Sequence, residues 1–331
     1  MVRIKMFDVA PYEIDAIKNW SAEHQVEVDY ESNPLTMDNI EQVKGYDGLS
    51  LSHNGPFNPE IYSKLESYGI KQIAQRSAGF DMYDLEEAKA HNLIITTVPS
   101  YSPSSIAEYA VTGALYFVRQ LPLIKQRMEN HNFVWDAPLI SRPVKDLTVA
   151  IIGVGRIGSI SAQLFSNFGC KVVGYDIEDK PELENIVEFK DSLEEAIAQA
   201  DIVSLHVPGN KETYHMFNQA AFNQLKDGVI FVNCARGMVV ETQALLDALN
   251  SGKVAGAVID TYENEAQYFR RDFSNKEVQD ETLLELIERN DVLASPHIAF
   301  FTHEAVKNLA EGGLNSTMEV LETGDAQTRV N

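Results

Sequence analysis

The chain has 331 residues, more than a single hydrophobic core usually serves, so two domains are expected. With 44% hydrophobic and 23% charged residues it has an ordinary globular composition, and no apolar run is long enough to span a bilayer. A formal net charge of −22 excludes passive attraction to nucleic acid or to an anionic membrane, leaving small molecules or a second copy of the chain as partners.

The opening MVRIKMFDVA reads as a strand and lacks the apolar stretch and cleavage site of a signal peptide. Only Cys170 and Cys234 occur, at no metal-like spacing, which suits a reducing compartment and a cytoplasmic protein. Strand patterns are predicted at Val2–Met6, Val26–Tyr30, Tyr46–Leu51, Lys71–Gln75 and Leu93–Thr97. Helical patterns fall between them at Tyr12–Glu23, Asn39–Val43, Pro59–Tyr68 and Leu85–His91. Such alternation implies a parallel sheet covered by helices. This first unit contains no phosphate-binding glycine motif and is not expected to hold a dinucleotide.

A proline-punctuated loop, Val98–Pro103, leads into a helix predicted over Ile106–Gln120 and continuing through Lys125–Met128. Its apolar residues cover more than one face, as in a helix buried between domains or in a subunit contact. Beyond it lies the stretch TVAIIGVGRIGSISAQLFSNFGCKVVGYD, from Thr148 to Asp176. An apolar β-branched run ends in Gly153-x-Gly155-x-x-Gly158, an amphipathic helical pattern follows, and the strand Lys171–Gly174 ends near Asp176. The first glycine makes the turn, the second admits a pyrophosphate to the backbone, and the third lets helix and strand pack closely. Unpaired N–H groups at the helix start would hold phosphate oxygens. Asp176 stands where a carboxylate accepts the ribose hydroxyls and repels a 2′-phosphate, so NAD is favoured over NADP.

The cofactor unit continues with helices at Ser192–Gln199, Gln219–Gln224 and Thr242–Ser251, and strands at Ile202–Val207, Val229–Asn233, Val254–Asp260 and Val292–Ser295. A final helical pattern starts at Glu304 and is expected to cross back onto the first domain. Arg236, Glu265 and His297 lie at or after the ends of these strands, where open α/β sheets bind ligands. A guanidinium at Arg236 suits a bidentate grip on a carboxylate, its structural alternative being an ion pair. Glu265 hydrogen-bonded to His297 would orient the imidazole and favour its protonated form. His297 could then donate a proton to a carbonyl oxygen as hydride reaches the carbon, and act as base in reverse. The other histidines are expected to be structural, His206 most plainly, as a core or wall residue.

These motifs resemble the D-isomer-specific 2-hydroxyacid dehydrogenase family and, within it, the D-lactate dehydrogenase branch. The resemblance rests on Gly153–Gly158, Asn233-Cys234-Ala235-Arg236-Gly237, Asp260-Thr261-Tyr262-Glu263-Asn264-Glu265 and Ser295-Pro296-His297, in family order and at family spacing. The segment Ala266–Glu281 is similar to a long loop of the D-lactate branch. It implies an α/β fold of two doubly wound parallel-sheet domains, a Rossmann-like NAD domain (101–299) inserted into a flavodoxin-like substrate domain (1–100 and 300–331). Arg236 matches the substrate-binding arginine, Glu265 its carboxylate partner and His297 the acid/base. The N–H groups of Ala78 and Gly79 match a loop gripping the substrate carboxylate, and Tyr101 a tyrosine facing the substrate. Phe300 matches an aromatic beyond the histidine. Gly153, Gly155, Arg156, Ile157, Gly158, Asp176, Val207, Pro208, Cys234, Ala235 and Asp260 match cofactor contacts. The resemblance further implies a homodimer built through the cofactor domains and the Ile106–Met128 region, and closure of the domains over the substrate.

Several positions depart from the family pattern. Leu51-Ser52-His53 stands where an aromatic is common, Ser77-Ala78-Gly79 where Asn-Val-Gly is frequent, and Phe301 where tyrosine is frequent. Loss of one aromatic enlarges the acyl pocket, and one methylene of fit is worth only about 1–3 kcal/mol. Pyruvate is therefore the first expected substrate, with D-2-hydroxyisocaproate- or phenyllactate-type activity as the alternative. A non-enzymatic NAD-sensing protein resembling the corepressor relatives is the reading from another class.

Overall fold

A computed structural model describes residues 2–331. The chain divides into two compact units, Met1–Ser102 with Phe301–Asn331, and Pro103–Phe300.

In the first unit, β1 (Arg3–Met6), α1 (Ile14–His24), β2 (Glu27–Tyr30), β3 (Gly48–Leu51), α2 (Glu60–Ser67), β4 (Gln72–Gln75), α3 (Leu85–Ala90) and β5 (Ile94–Thr96) follow in sequence. All five strands pair in parallel, in the order β2-β1-β3-β4-β5. That is the flavodoxin-like order. Ile4, Leu49, Leu51, Ile73 and Ile95 are buried, as expected of strands covered on both faces. The pattern at Asn39–Val43 settles as a 3-10 turn, Ile40–Val43, too short to close α-helical turns. The C-terminal helix His303–Thr323 belongs to this unit, so the chain does return to its first sheet. Thr302 caps that helix by accepting from the Ala305 N–H, and Gly324 ends it at φ 82.

The second unit opens with α4 (Pro103–Val118) and α5 (Leu121–Glu129). These are two helices rather than one continuous helix, because Gln120 adopts a left-handed φ of 56 and Pro122 starts the next turn. Within its own unit α4 buries Ala107, Ala110, Gly113, Ala114 and Phe117, with Gly113 against Val258 and Phe117 against Gly256. By contrast α5 buries none of its residues. Then come β6 (Thr148–Ile152), α6 (Arg156–Asn167), β7 (Lys171–Tyr175), β8 (Glu188–Phe189), α7 (Leu193–Ile197), β9 (Ile202–Leu205) and α8 (Gln219–Gln224). β10 (Val229–Asn233), α9 (Thr242–Asn250), β11 (Val254–Ile259), α10 (Glu265–Tyr268), α11 (Glu281–Glu288) and β12 (Val292–Ala294) complete it.

The seven strands are parallel, in the order β12-β11-β10-β9-β6-β7-β8. From β6 the chain winds first toward β8 and later toward β12. The switch point therefore lies between β6 and β9, outside whose carboxyl ends such sheets bind ligands. Ala266–Glu281 is not loop throughout. Glu265–Tyr268 forms a helical turn, and Glu281 already belongs to α11, capped by Asp280, which accepts from the Leu283 N–H at 3.1 Å.

Candidate active site

At the end of β6 the chain turns through Gly153, at φ +86, and its N–H donates to the Tyr175 carbonyl at 2.9 Å. A Cβ at Gly158 would collide with the Gly153 carbonyl, so only glycine lets α6 start so close to the strand. Gly155 caps α6 with backbone alone, and a Cβ there would meet nothing within 4 Å. The turn therefore presents an open cradle of N–H groups at a helix start, which fits a dinucleotide pyrophosphate. Arg156 is exposed and Ile157 half-buried beside it. Asp176, just beyond β7, accepts from the Val154 N–H at 2.6 Å and from the Glu178 N–H at 3.0 Å. Its carboxylate thus holds the glycine turn while remaining half-exposed.

After β9, Val207 is half-buried and Pro208 exposed, and the Pro208 carbonyl accepts from the Thr213 hydroxyl at 2.7 Å. His206 lies one residue past β9 instead of inside the strand, half-buried, its Nε2 2.9 Å from the Ser204 hydroxyl. Burial pushes its imidazole down to about 4. After β10, the Asn233 side chain shapes the next turn, accepting from the Ala235 N–H at 3.0 Å and donating to the Arg236 carbonyl at 3.1 Å. Cys234 and Ala235 are buried in it, and burial holds the Cys234 thiol well above its ordinary range, so it is no nucleophile. Arg236 is half-buried and donates through one terminal nitrogen to the Ala235 carbonyl at 2.8 Å.

His297 and Glu265 meet after β12 and β11. The histidine Nδ1 lies 2.7 Å from Glu265 Oε1, and Glu265 Oε2 accepts from the Tyr262 N–H at 3.0 Å. Burial by itself would raise the Glu265 carboxyl. The His297 hydrogen bond and charge, the Tyr262 N–H and the Arg236 charge outweigh it and hold the group below the usual carboxylate range. Arg236 thus acts electrostatically on the same carboxylate that orients His297. With Nδ1 engaged, Nε2 is the ring nitrogen available for proton transfer.

His297 itself sits at φ 58, a conformation that costs a non-glycine residue about 1 kcal/mol or more. Asp260 holds it there. The Asp260 carbonyl accepts from the His297 N–H at 2.8 Å, and its buried carboxylate takes the Ser295 hydroxyl at 2.6 Å. The same carboxylate takes the Ile298 and Ala299 N–H groups, each at 2.9 Å. Asp260 is thus the anchor of the His297 loop, a use that its place among cofactor contacts does not suggest. Tyr109 on α4 reaches this network. Burial raises its phenol, against a hydrogen bond with Ser295 that lowers it. Tyr109 carried no local signal, since the contact joins residues nearly two hundred positions apart. Phe300 is half-buried at the end of this unit.

The remaining candidates belong to the first unit. Ala78 and Gly79 are half-buried in the loop after β4, where the Ser77 hydroxyl donates to the Gly79 carbonyl at 2.6 Å. The adjoining Arg76 is buried, pairs with Glu13 at 3.0 Å and donates to the Phe7 and Asp8 carbonyls, each at 3.0 Å, so it is a structural cation. Tyr101 is half-buried, and its carbonyl accepts from Asn308 at 2.7 Å. His303 is exposed at the start of the C-terminal helix.

Comparison with known proteins identifies the family. Residues 111–299 match the NAD binding domain of the D-isomer specific 2-hydroxyacid dehydrogenases. A D-lactate dehydrogenase of Staphylococcus aureus (strain MRSA252) is 51% identical over 331 residues, covering all of both chains. Among solved structures, a D-lactate dehydrogenase of Treponema pallidum superposes with a TM-score of 0.93 at 35% identity, with both chains fully covered. The NAD-complexed D-isomer specific 2-hydroxyacid dehydrogenase of Lactobacillus delbrueckii ssp. bulgaricus gives 0.90 at 35% identity, again over all of both chains. The chain belongs to the D-isomer specific 2-hydroxyacid dehydrogenase family, the NAD-dependent oxidoreductases of 2-hydroxy acids.

Proposed function

We propose that this chain is an NAD-dependent D-lactate dehydrogenase that reduces pyruvate, and with lower preference larger 2-oxo acids, to the D-2-hydroxy acid. The observation that carries the reading is the 2.7 Å pair of His297 and Glu265, with the Arg236 charge acting on the same carboxylate.

Gly153, Gly155, Gly158 and the first turn of α6 would hold the pyrophosphate, Asp176 the adenosine ribose, and Arg156, Ile157, Val207, Pro208, Cys234, Ala235 and Asp260 would line the cofactor's course. NADH, when bound, supplies the hydride. Arg236 grips the substrate carboxylate bidentately and aligns the 2-oxo group. The family resemblance assigns the Ala78 and Gly79 N–H groups, Tyr101 and Phe300 to substrate binding as well. His297 donates the Nε2 proton to the ketone oxygen as the carbon is reduced, and Glu265 stabilises the imidazolium beforehand. In the reverse direction the neutral imidazole takes the hydroxyl proton.

The assembly is a homodimer formed through the cofactor unit. Support comes from an exposed apolar run over α5 and the segment beyond it, including Leu121, Met128, Phe133, Val134, Trp135 and Ile140, with Trp135 94% exposed. Sedimentation of Trp135→Glu tests this, a monomer being expected. The setting is cytoplasmic, in keeping with two free, buried cysteines. Among the described residues no helix is long and apolar enough to cross a membrane.

The deciding experiment follows NADH oxidation with pyruvate, 2-oxoisocaproate and phenylpyruvate, with chiral analysis of the product. D-lactate is expected, with activity lost in His297→Ala by roughly two to four orders of magnitude. NADH binding without turnover on any of these acids would overturn the assignment.

A further inference from the structure

The second unit contains a second histidine–carboxylate pair, two residues before Glu265. His215 Nε2 lies 2.6 Å from Glu263 Oε1, and both side chains are about one-quarter exposed, at 26% each. The other carboxylate oxygen, Oε2, accepts from the Thr242 N–H at 2.9 Å and the Thr242 hydroxyl at 2.5 Å. One side chain therefore joins the loops following β9 and β11 to the start of α9, where the loop after β10 ends.

Each of these loops is tied to the residues assigned to chemistry. The His215 N–H donates to the Met238 carbonyl at 2.9 Å, the Phe217 N–H to Val239 at 3.0 Å, and the Glu241 N–H to Phe217 at 3.0 Å. The loop after β9 thus runs as a short ladder beside the turn carrying Arg236. At Gly209 an added Cβ would come within 2.9 Å of Arg236 Cγ, so the ladder also backs the arginine's stem. On the opposite side, Gly237 packs so closely on the Tyr262–Glu263 peptide that a Cβ would lie 2.6 Å from the Glu263 nitrogen. His215 is held at φ 48 with the Tyr214 ring stacked on it at 4.0 Å.

We propose that Glu263, clamped by Thr242 and His215, is a positioning residue that sets the spacing between the Arg236 guanidinium and the Glu265–His297 pair. The inference rests on the roles given above to Arg236, Glu265 and His297. Glu263 does not touch the reacting atoms. Its carboxylate fixes the loop that begins two residues later with Glu265 to the loop that ends at Thr242 and contains Arg236. Without it, carboxylate grip and proton delivery lose their common frame, whereas the glycine turn and Asp176 lie elsewhere on the sheet.

The test is steady-state kinetics of Glu263→Ala, Glu263→Gln, Thr242→Val and Arg236→Lys, with melting temperatures and inhibition by oxamate, an unreactive isostere of pyruvate. In Glu263→Ala, kcat/KM for pyruvate should fall roughly ten- to a hundredfold, the scale of a small misplacement of reacting groups. The KM for pyruvate and the oxamate inhibition constant should rise together while the KM for NADH holds. Glu263→Gln, whose amide oxygen still accepts from Thr242, should recover most of the loss. If Glu263→Ala fails to fold, Thr242→Val decides, with the same split expected. A lower kcat matching the loss of folded enzyme, at unchanged pyruvate KM and oxamate constant, would overturn the inference. Should Arg236→Lys leave those two constants unchanged as well, the site assignment itself is what fails.

Discussion

The imidazole of His297 is fastened to Glu265 through Nδ1 at 2.7 Å, which leaves Nε2 as the ring nitrogen that Glu265 does not engage. Glu265 is held below the usual carboxylate range despite its burial, because the His297 hydrogen bond and charge, the Tyr262 N–H and the Arg236 charge outweigh that burial. A carboxylate with a depressed folded value adds stability above its unfolded value and loses it as the pH falls through the folded one.

Replacing that charge separates orientation from electrostatics. Glu265→Gln keeps a hydrogen-bonding group beside Nδ1 but no longer stabilises an imidazolium. Pyruvate reduction should slow by at least about tenfold, because the proton-donating imidazole loses its anionic partner. Steady-state kcat and kcat/KM with pyruvate check this, and an unchanged rate would show that Glu265 only orients the ring.

Gln75 organises the loop that carries Ala78 and Gly79. Its buried amide accepts from the Tyr83 hydroxyl at 2.6 Å and the His53 N–H at 3.2 Å, and donates to the His53 carbonyl at 3.1 Å and the Ser77 hydroxyl at 3.0 Å. Gln75→Leu strands all four partners, a loss of roughly 2–4 kcal/mol in stability. The KM for pyruvate should rise with it, since Ser77 in turn holds Gly79. Calorimetry together with pyruvate kinetics tests both parts, and a lower melting temperature at constant KM would confine Gln75 to folding.

The candidate site was legible in the sequence wherever its residues sit on a strand end with a local signature of their own. The Gly153 turn, the Asn233–Gly237 turn around Arg236 and Ser295-Pro296-His297 all have this form. Most strands of both parallel sheets were legible too, through apolar runs such as Val149–Ile152 and Val229–Val232 and through their alternation with helical patterns. What escaped depends on contacts distant in the chain: Asp260 anchoring the His297 loop, Tyr109 reaching Ser295, and Glu263 joining Thr242 and His215. The break at Gln120 rests on a positive φ in a residue that gives no warning of it. β8 is only two residues long, with no apolar run to announce it, and α11 falls in a stretch beyond the expected loop for which no element was predicted.

Asp176 makes a different kind of prediction, about cofactor choice. Its carboxylate already accepts from the Val154 N–H, so substitution affects both the glycine turn and the charge beside the ribose. Asp176→Ser should weaken NADH use by roughly ten- to a hundredfold, the worth of hydrogen bonds to a charged acceptor. NADPH use should rise relative to NADH as the like-charge repulsion disappears. Parallel kinetics with the two cofactors test this, and an unchanged ratio would remove Asp176 from the selectivity.

His206 links this unit's stability to acid. In the folded chain burial pushes its imidazole down to about 4, against an ordinary value of 6.5. Between those values the unfolded chain binds a proton that the folded chain refuses, so stability is full near neutrality and falls as the pH drops through that window. The loss approaches roughly 3 kcal/mol as an upper bound, because the residue is only half-buried. His206→Gln keeps a polar group beside the Ser204 hydroxyl but cannot titrate. Urea midpoints measured at pH 7 and pH 4.5 should therefore separate the two proteins, the wild type losing more on acidification than the variant. Equal losses would mean that the imidazole takes up its proton in the folded chain as readily as in the unfolded one.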